Sequence, residues 1–346
     1  MLKRIHIKHG NASTLVTLHS LIPPHRTQIE TSKLNNLRRY ISNQRVTLAT
    51  KTKLISQFST TAMANQGISS SASKLVPQDP AKTMVIRDVV PGQIATLSVP
   101  FLRFGLIRFG GRGTIVKLKS GNLAVFSPVA LTSDVKAKVQ QYAEASPSGS
   151  VRYIIAPDIE HHIFLSPWAK EYPDANVIGM EGLPEKREKD PQNAGIKFQH
   201  VFTPSNKNEL KISPEFNEDF DYEYINSHDN KELVFLHKPS RTLIAADLLF
   251  NLPATEQFSK TGEDANSGIL TKIFAAMLNT RGEMKWHARF LWYGPGSSDR
   301  KGFAESIRKI QSWGEFVRVI PCHGDVVEQN GSAILAKATA HFKDVK

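Results

Sequence analysis

From residue 84 onward the chain alternates short β-branched runs with turn residues. Residues 84–90, 94–99, 113–118 and 123–126 are such runs, interrupted at Gly110-Gly111 and Gly121-Asn122. That spacing predicts strands joined by hairpins. Thr132-Ser133-Asp134 then offers an N-cap for a helix reaching about Ala145, with Val135, Val139 and Tyr142 on one face. Further strand patterns follow at 152–156, 177–178, 196–202, 222–226, 233–237, 242–246 and 316–320, and helical ones at 269–278, 300–313 and 332–342. The charged stretch 185–190 reads as a solvated loop or helix face, and Gly110-Gly111-Arg112-Gly113 as a hairpin turn rather than an anion cradle. One chain running strands, helix, strands, helices, strand, helix points to an α/β (α+β) protein: two packed mixed sheets with helices outside, an αββα sandwich over residues 79–346.

The first 78 residues have a different texture. They hold eleven Lys and Arg against the single acid Glu30, are rich in Ser and Thr, and lack a sustained apolar pattern. That composition is expected of a disordered, basic targeting segment of the mitochondrial matrix type, with Arg38-Arg39-Tyr40-Ile41-Ser42 as a processing signal. Without such a role the protein would be cytoplasmic. Most of the net charge of +12 sits in this segment, leaving 33 basic and 31 acidic groups beyond it. A near-neutral body does not offer the basic groove that nucleic acid requires, so no nucleic-acid partner is expected. The apolar runs fall well short of the roughly 20 residues of a membrane span. Cys322 is the only cysteine, which excludes an internal disulfide and cysteine-based zinc sites. Next to His323 it reads as a small buried residue rather than a nucleophile.

Candidate chemistry lies at the ends of the predicted strands. His161-His162 follow the strand at 152–156, His228 the one at 222–226, Asp247 the one at 242–246, and His323 the one at 316–320. Side chains at strand ends converge at a sheet edge even when far apart in sequence. Imidazole and carboxylate are the usual donors to zinc, iron or manganese. A carboxylate set against the apolar run 243–250, as Asp247 is, must be paired, hydrogen-bonded or metal-bound. Trp286, His287, Trp292 and Tyr293 read as the packing of a helix–loop segment, with an aromatic lid as the alternative.

In this order of elements and donors the chain resembles the metallo-β-lactamase superfamily over roughly residues 84–343. The family's H-x-H-x-D-H motif is replaced by Pro157-Asp158-Ile159-Glu160-His161-His162. Ser227-His228, Asp247 at the end of 242–247, and Cys322-His323-Gly324 take the later motif positions. Within the superfamily, residues 157–179 and 240–253 resemble a domain family of unknown function. Aligned without gaps, the family's first two histidines fall on Pro157 and Ile159, its aspartate on His161 and its last histidine on His162. The resemblance therefore implies one divalent metal, zinc before iron or manganese. His162, Asp247 and His323 would hold it, with His161 as a fourth donor and His228 a loose ligand or general base. Asp158 and Glu160 are the local replacements for the lost nucleophile-orienting aspartate.

The function expected from this pattern is hydrolysis of a small ester, thioester or lactone by a single metal-activated water, with a small-molecule substrate as partner. Two alternatives remain open: a binding or structural module that has lost part of its site, and a mononuclear iron redox enzyme.

Overall fold

The computed structural model describes residues 75–145, 149–190 and 194–346. The expected targeting segment therefore lies outside the described residues except for its last four, and there Val76 is already packed at 1% exposure. A short helix α1 (Pro80–Thr83) opens the described chain. Strands β1 (Val85–Val90), β2 (Ile94–Val99), β3 (Leu102–Arg103), β4 (Ile107–Arg108), β5 (Gly111–Lys117) and β6 (Leu123–Phe126) follow. Next come α2 (Ser133–Glu144), β7 (Val151–Ile155), α3 (Leu165–Glu171), β8 (Asn176–Met180), α4 (Leu183–Glu188) and β9 (His200–Phe202). The second half runs α5 (Pro214–Asp219), β10 (Phe220–Ile225), β11 (Glu232–His237), β12 (Thr242–Ile244), α6 (Thr255–Phe258), α7 (Ile269–Met277), α8 (Lys285–Tyr293), α9 (Arg300–Ser312), β13 (Arg318–Ile320) and α10 (Gly331–Ala338).

Two mixed sheets form. The larger has the order β1-β2-β5-β6-β7-β8-β9, antiparallel as far as β6 and parallel from β6 onward. The smaller has the order β10-β11-β12-β13, with only the last pair parallel. Rings from both sheets meet between them: Phe126 on β6 lies 5.3 Å from Phe220 on β10 and 5.0 Å from Phe235 on β11. The side-chain alternation of a strand does the rest. On β11, Leu233 and Phe235 enter the core between the sheets. Val234 and Leu236 face the other way, packing with Leu291 of α8, Phe303 and Ile307 of α9 and Leu335 of α10. Both faces of β11 are thus covered, and the whole strand reads as apolar between its polar ends. Helices α2, α3 and α4 pack on the larger sheet. The layers are α/β/β/α, the sandwich that the sequence pattern predicts.

Two local expectations need correction, and a few short elements were not expected. Gly111-Arg112-Gly113 is the start of β5, not a turn; only Gly110, at φ +70°, turns the chain. Gly113 is glycine because a Cβ there would lie 2.9 Å from the Ser127 carbonyl oxygen. The charged stretch 185–190 forms most of α4, yet Arg187 on it is buried, not solvated. The hairpin β3–β4 and helices α3 and α5 carried too few periodic positions to be seen in sequence.

Candidate metal centre

The register of the smaller sheet assembles half of the site. In the parallel pair β12–β13, Ile244 stands opposite Ile320. Asp247 and His323 each lie three residues beyond that pair, so the chain delivers them to the same edge, with Asp247 Oδ1 3.3 Å from His323 Nε2. The loop after β7 brings His161 from the larger sheet, its Nε2 3.1 Å from His323 Nε2. One donor atom from each of His161, Asp247 and His323 lies within 4.8 Å of the other two, so this group could hold a metal ion.

The remaining ring nitrogens fix what these atoms can do. His323 Nδ1 sits 2.6 Å from the carbonyl oxygen of Gly110, which can only accept, so Nδ1 carries the proton and Nε2 a lone pair. His161 Nδ1 is 2.8 Å from both oxygens of Asp158, which assigns its Nδ1 proton in the same way. In the neutral rings two lone pairs therefore face each other, with a carboxylate oxygen beside them. Asp247 Oδ1 is buried with no aligned hydrogen bond, while its Oδ2 accepts from Asn230 Nδ2 at 2.6 Å. Such a convergence calls for a positive charge, as a proton or as a cation. His161 answers in part: burial alone would lower it, but Asp158, Asp247 and Glu232 outweigh that and raise it to about 9. Asp247 is pushed up by burial, yet its histidine neighbours hold it well below the usual carboxylate range.

Surrounding residues hold this geometry. Asp158 is fully buried and also accepts from the backbone N–H groups of Glu160 and His161. Glu232 accepts from the N–H groups of Ala246 and Asp247, and its own buried carboxyl is raised well above normal by desolvation and by Asp158 and Asp247. The His323 turn is clamped from both sides. Arg112 donates to the carbonyls of Pro321 and Gly324, and Gln257 donates to that of Cys322 and accepts from Gly324 N–H. Phe101, Phe109 and Phe250 surround the His323 ring at 5.5–5.8 Å, Phe250 nearly parallel to it.

Against the expected ligand set, the histidine pair is exchanged. His161, expected as a supplementary donor, points into the cluster. His162 points away from it, its Nδ1 3.0 Å from Arg187 Nη1, and burial lowers it to about 4. His228 is also outside the group. Its Nδ1 accepts from Asn230 N–H, leaving the proton on Nε2, which lies 3.7 Å from Glu232 with no hydrogen-bond partner. Asn230 links it indirectly to Asp247. Asp158 serves as the holder of His161, too deeply buried to meet a substrate. Glu160 stands at the rim of a cavity, 2.7 Å from Lys186 and 3.8 Å from Arg103. Burial pushes the Cys322 thiol well up, consistent with a packing residue. The residues whose part in the site was unseen in sequence are Asn230, Glu232, Arg112 and Gln257. Glu232 had a signal, a carboxylate at the head of the apolar run Leu233-Val234-Phe235-Leu236.

The cavity over the cluster holds about 310 Å³. His161 and His323 form its polar end, Val99, Phe101, Val129 and Phe164 much of its wall, and Arg103, Lys186 and Glu160 part of its rim. Among the described residues no helix is long and apolar enough to cross a membrane.

The fold and site together define an α/β/β/α sandwich with a histidine–aspartate–histidine group at the sheet edges. A family described as a domain of unknown function, DUF4336, matches residues 106–257, from β4 to α6. No curated protein matches the chain. Solved structures similar to it are metallo-β-lactamases. DIM-1 is 12% identical with a TM-score of 0.46 over 76% of this chain and 98% of its own. VMB-1 is 8% identical with a TM-score of 0.47 over 75% and 97%. The enzyme from Pontibacter korlensis is 9% identical with a TM-score of 0.44 over 75% and 99%.

Proposed function

We propose that this protein is a metal-dependent hydrolase of small esters, thioesters or lactones, with one divalent metal, zinc before iron or manganese, at His161, Asp247 and His323. The observation that carries the reading is the convergence of two imidazole lone pairs and an unsatisfied buried carboxylate oxygen. A divalent metal held by three protein donors supplies a Lewis acid and a water of lowered pKa. Asp158 and the Gly110 carbonyl keep both Nε2 atoms turned to the site. The apolar wall of Val99, Phe101, Val129 and Phe164 would limit bulk water around the carbonyl end of a substrate. Lys186 and Arg103 at the rim, sharing Glu160, attract an anionic portion of it.

Metal analysis of protein purified without chelator, with hydrolysis assays on ester, thioester and lactone panels, tests the reading. Zinc near one equivalent and activity lost in Asp247→Ala are expected; metal-free protein with no zinc affinity would refute it. Two histidines with one carboxylate also match the facial donor set of non-haem iron enzymes. Iron in that analysis, with oxygen consumption instead of hydrolysis, selects that second reading. The basic segment 1–78 is proposed to direct the protein to the mitochondrial matrix; residues 1–62 fused to a fluorescent reporter should localise there, and a cytosolic reporter would refute it.

A further inference from the structure

Beside the cavity mouth the fold leaves large apolar side chains in water. The tip of the β3–β4 hairpin carries Phe104, 73% exposed, and Leu106, 59% exposed, on either side of Gly105. Such a tip ordinarily carries polar turn residues. Helix α7 adds Ile269 at 80%, with Leu270 and Ile273 about half exposed, and α8 adds Trp286. These elements adjoin: Arg108 N–H donates to Thr271 Oγ1 at 3.2 Å, its guanidinium reaches the Ser267 carbonyl at 3.0 Å, and α7 packs on β4 and α8.

Charge on these elements themselves has one sign, with the exposed acids Glu263, Asp264 and Glu283 at their flanks. Segments 101–112, 265–278 and 284–294 contain Arg103, Arg108, Arg112, Lys272, Lys285 and Arg289 and no Asp or Glu. Arg112 is buried, Arg108 is paired with Glu263 at 2.7 Å, and Arg103 lies 3.8 Å from Glu160. Arg103 and Arg289 lie over the rings of Phe104 and Trp286, at 5.0 and 4.9 Å. Lys272 and Lys285 are exposed. Aromatic and aliphatic side chains interleaved with cations are the composition of a surface that sits in a lipid headgroup layer. The shape agrees, because Phe104 and Leu106 protrude. A protein partner would have to supply a matching pocket, whereas a bilayer interface yields to a protruding side chain.

We propose that the β3–β4 tip, α7 and the exposed face of α8 form a docking surface for an anionic lipid membrane. Arg103 borders both this surface and the cavity, so docking sets the cavity mouth beside the lipid. The proposal does not depend on the metal. Flotation of the full chain with phosphatidylcholine vesicles, with and without phosphatidylserine, tests it. The wild type should float with the phosphatidylserine vesicles. Phe104→Ser with Leu106→Ser and Ile273→Ser should reduce that partition at least about tenfold at an unchanged melting temperature. Lys272→Glu with Arg289→Glu should do the same, and phosphatidylserine-free vesicles should bind weakly. Variants that float like the wild type would assign attachment to the basic residues 1–78 and overturn the proposal. So would a wild type that stays unbound, or one whose apolar face proves to hold a dimer that the serine variant dissociates.

Discussion

His161 Nε2 and His323 Nε2 lie 3.1 Å apart across 162 residues of sequence, and each ring has its other nitrogen committed to an acceptor. Two lone pairs at that distance repel unless a positive charge lies between or beside them. The nearby Asp247 oxygen sharpens the demand.

Asp158 orients one of those rings without reaching the cavity. Asp158→Asn should therefore weaken zinc binding about 10–100-fold, the usual cost of losing the partner of a ligating histidine. Asp247→Ala should abolish binding, and His228→Ala should change it less than either. Titrations of metal-free protein are best made near pH 9, where competition from the His161 proton fades. An Asp158→Asn protein with wild-type affinity would refute the positioning role.

The same proton predicts a pH dependence. His161 is raised to about 9, so below that pH a metal must displace its proton. Apparent zinc affinity should rise about tenfold per pH unit between pH 7 and 9 and then level off. A flat profile across that range would show that no His161 proton competes with the metal.

Acid should destabilise the fold through buried histidines outside the candidate metal group. Burial lowers His237 and His287 from 6.5 to about 4. Between those values the unfolded chain binds protons that the folded chain refuses. Their contribution is complete above pH 6.5 and is lost as pH falls toward 4. Urea midpoints should drop over that window, and His237→Gln with His287→Gln should flatten the drop.

Gly324 holds a left-handed φ of +85°, and a Cβ there would meet the Asn251 carbonyl oxygen at 2.1 Å. Gly324→Ala should cost more than the roughly 1–2 kcal/mol of left-handed backbone strain, and it should also weaken zinc binding by shifting the adjacent His323. Denaturation and metal titration of one preparation measure both effects.

Arg112 is wholly buried, bonded to Ser98, to two carbonyls of the His323 turn and to Glu256. Arg112→Met should destabilise by about 3–5 kcal/mol, because Glu256 loses a buried partner and the carbonyls lose their donors. A loss below about 1 kcal/mol in denaturant titration would show that Arg87, also on Glu256, compensates.

The sequence by itself determined the layers of this protein and pointed to two of the three residues that converge at its candidate metal centre. Alternation along β11 sends Leu233 and Phe235 to one core and Val234 and Leu236 to the other, a period-two pattern that any register must respect. Asp247 and His323 were legible because each ends an apolar run, and parallel pairing of those runs makes them neighbours. Which member of His161-His162 turns inward was not legible. Both lie in a loop without periodicity, and the choice is made by partners. Asp158, three residues back, takes the His161 ring, while Arg187, brought from α4 twenty-five residues on, takes His162. Asn230, Glu232, Arg112 and Gln257 were hidden for the same reason. Hydrophobic periodicity reports which face of an element is buried, but the direction of a polar side chain is settled by donors and acceptors that only the packed chain brings within 3 Å.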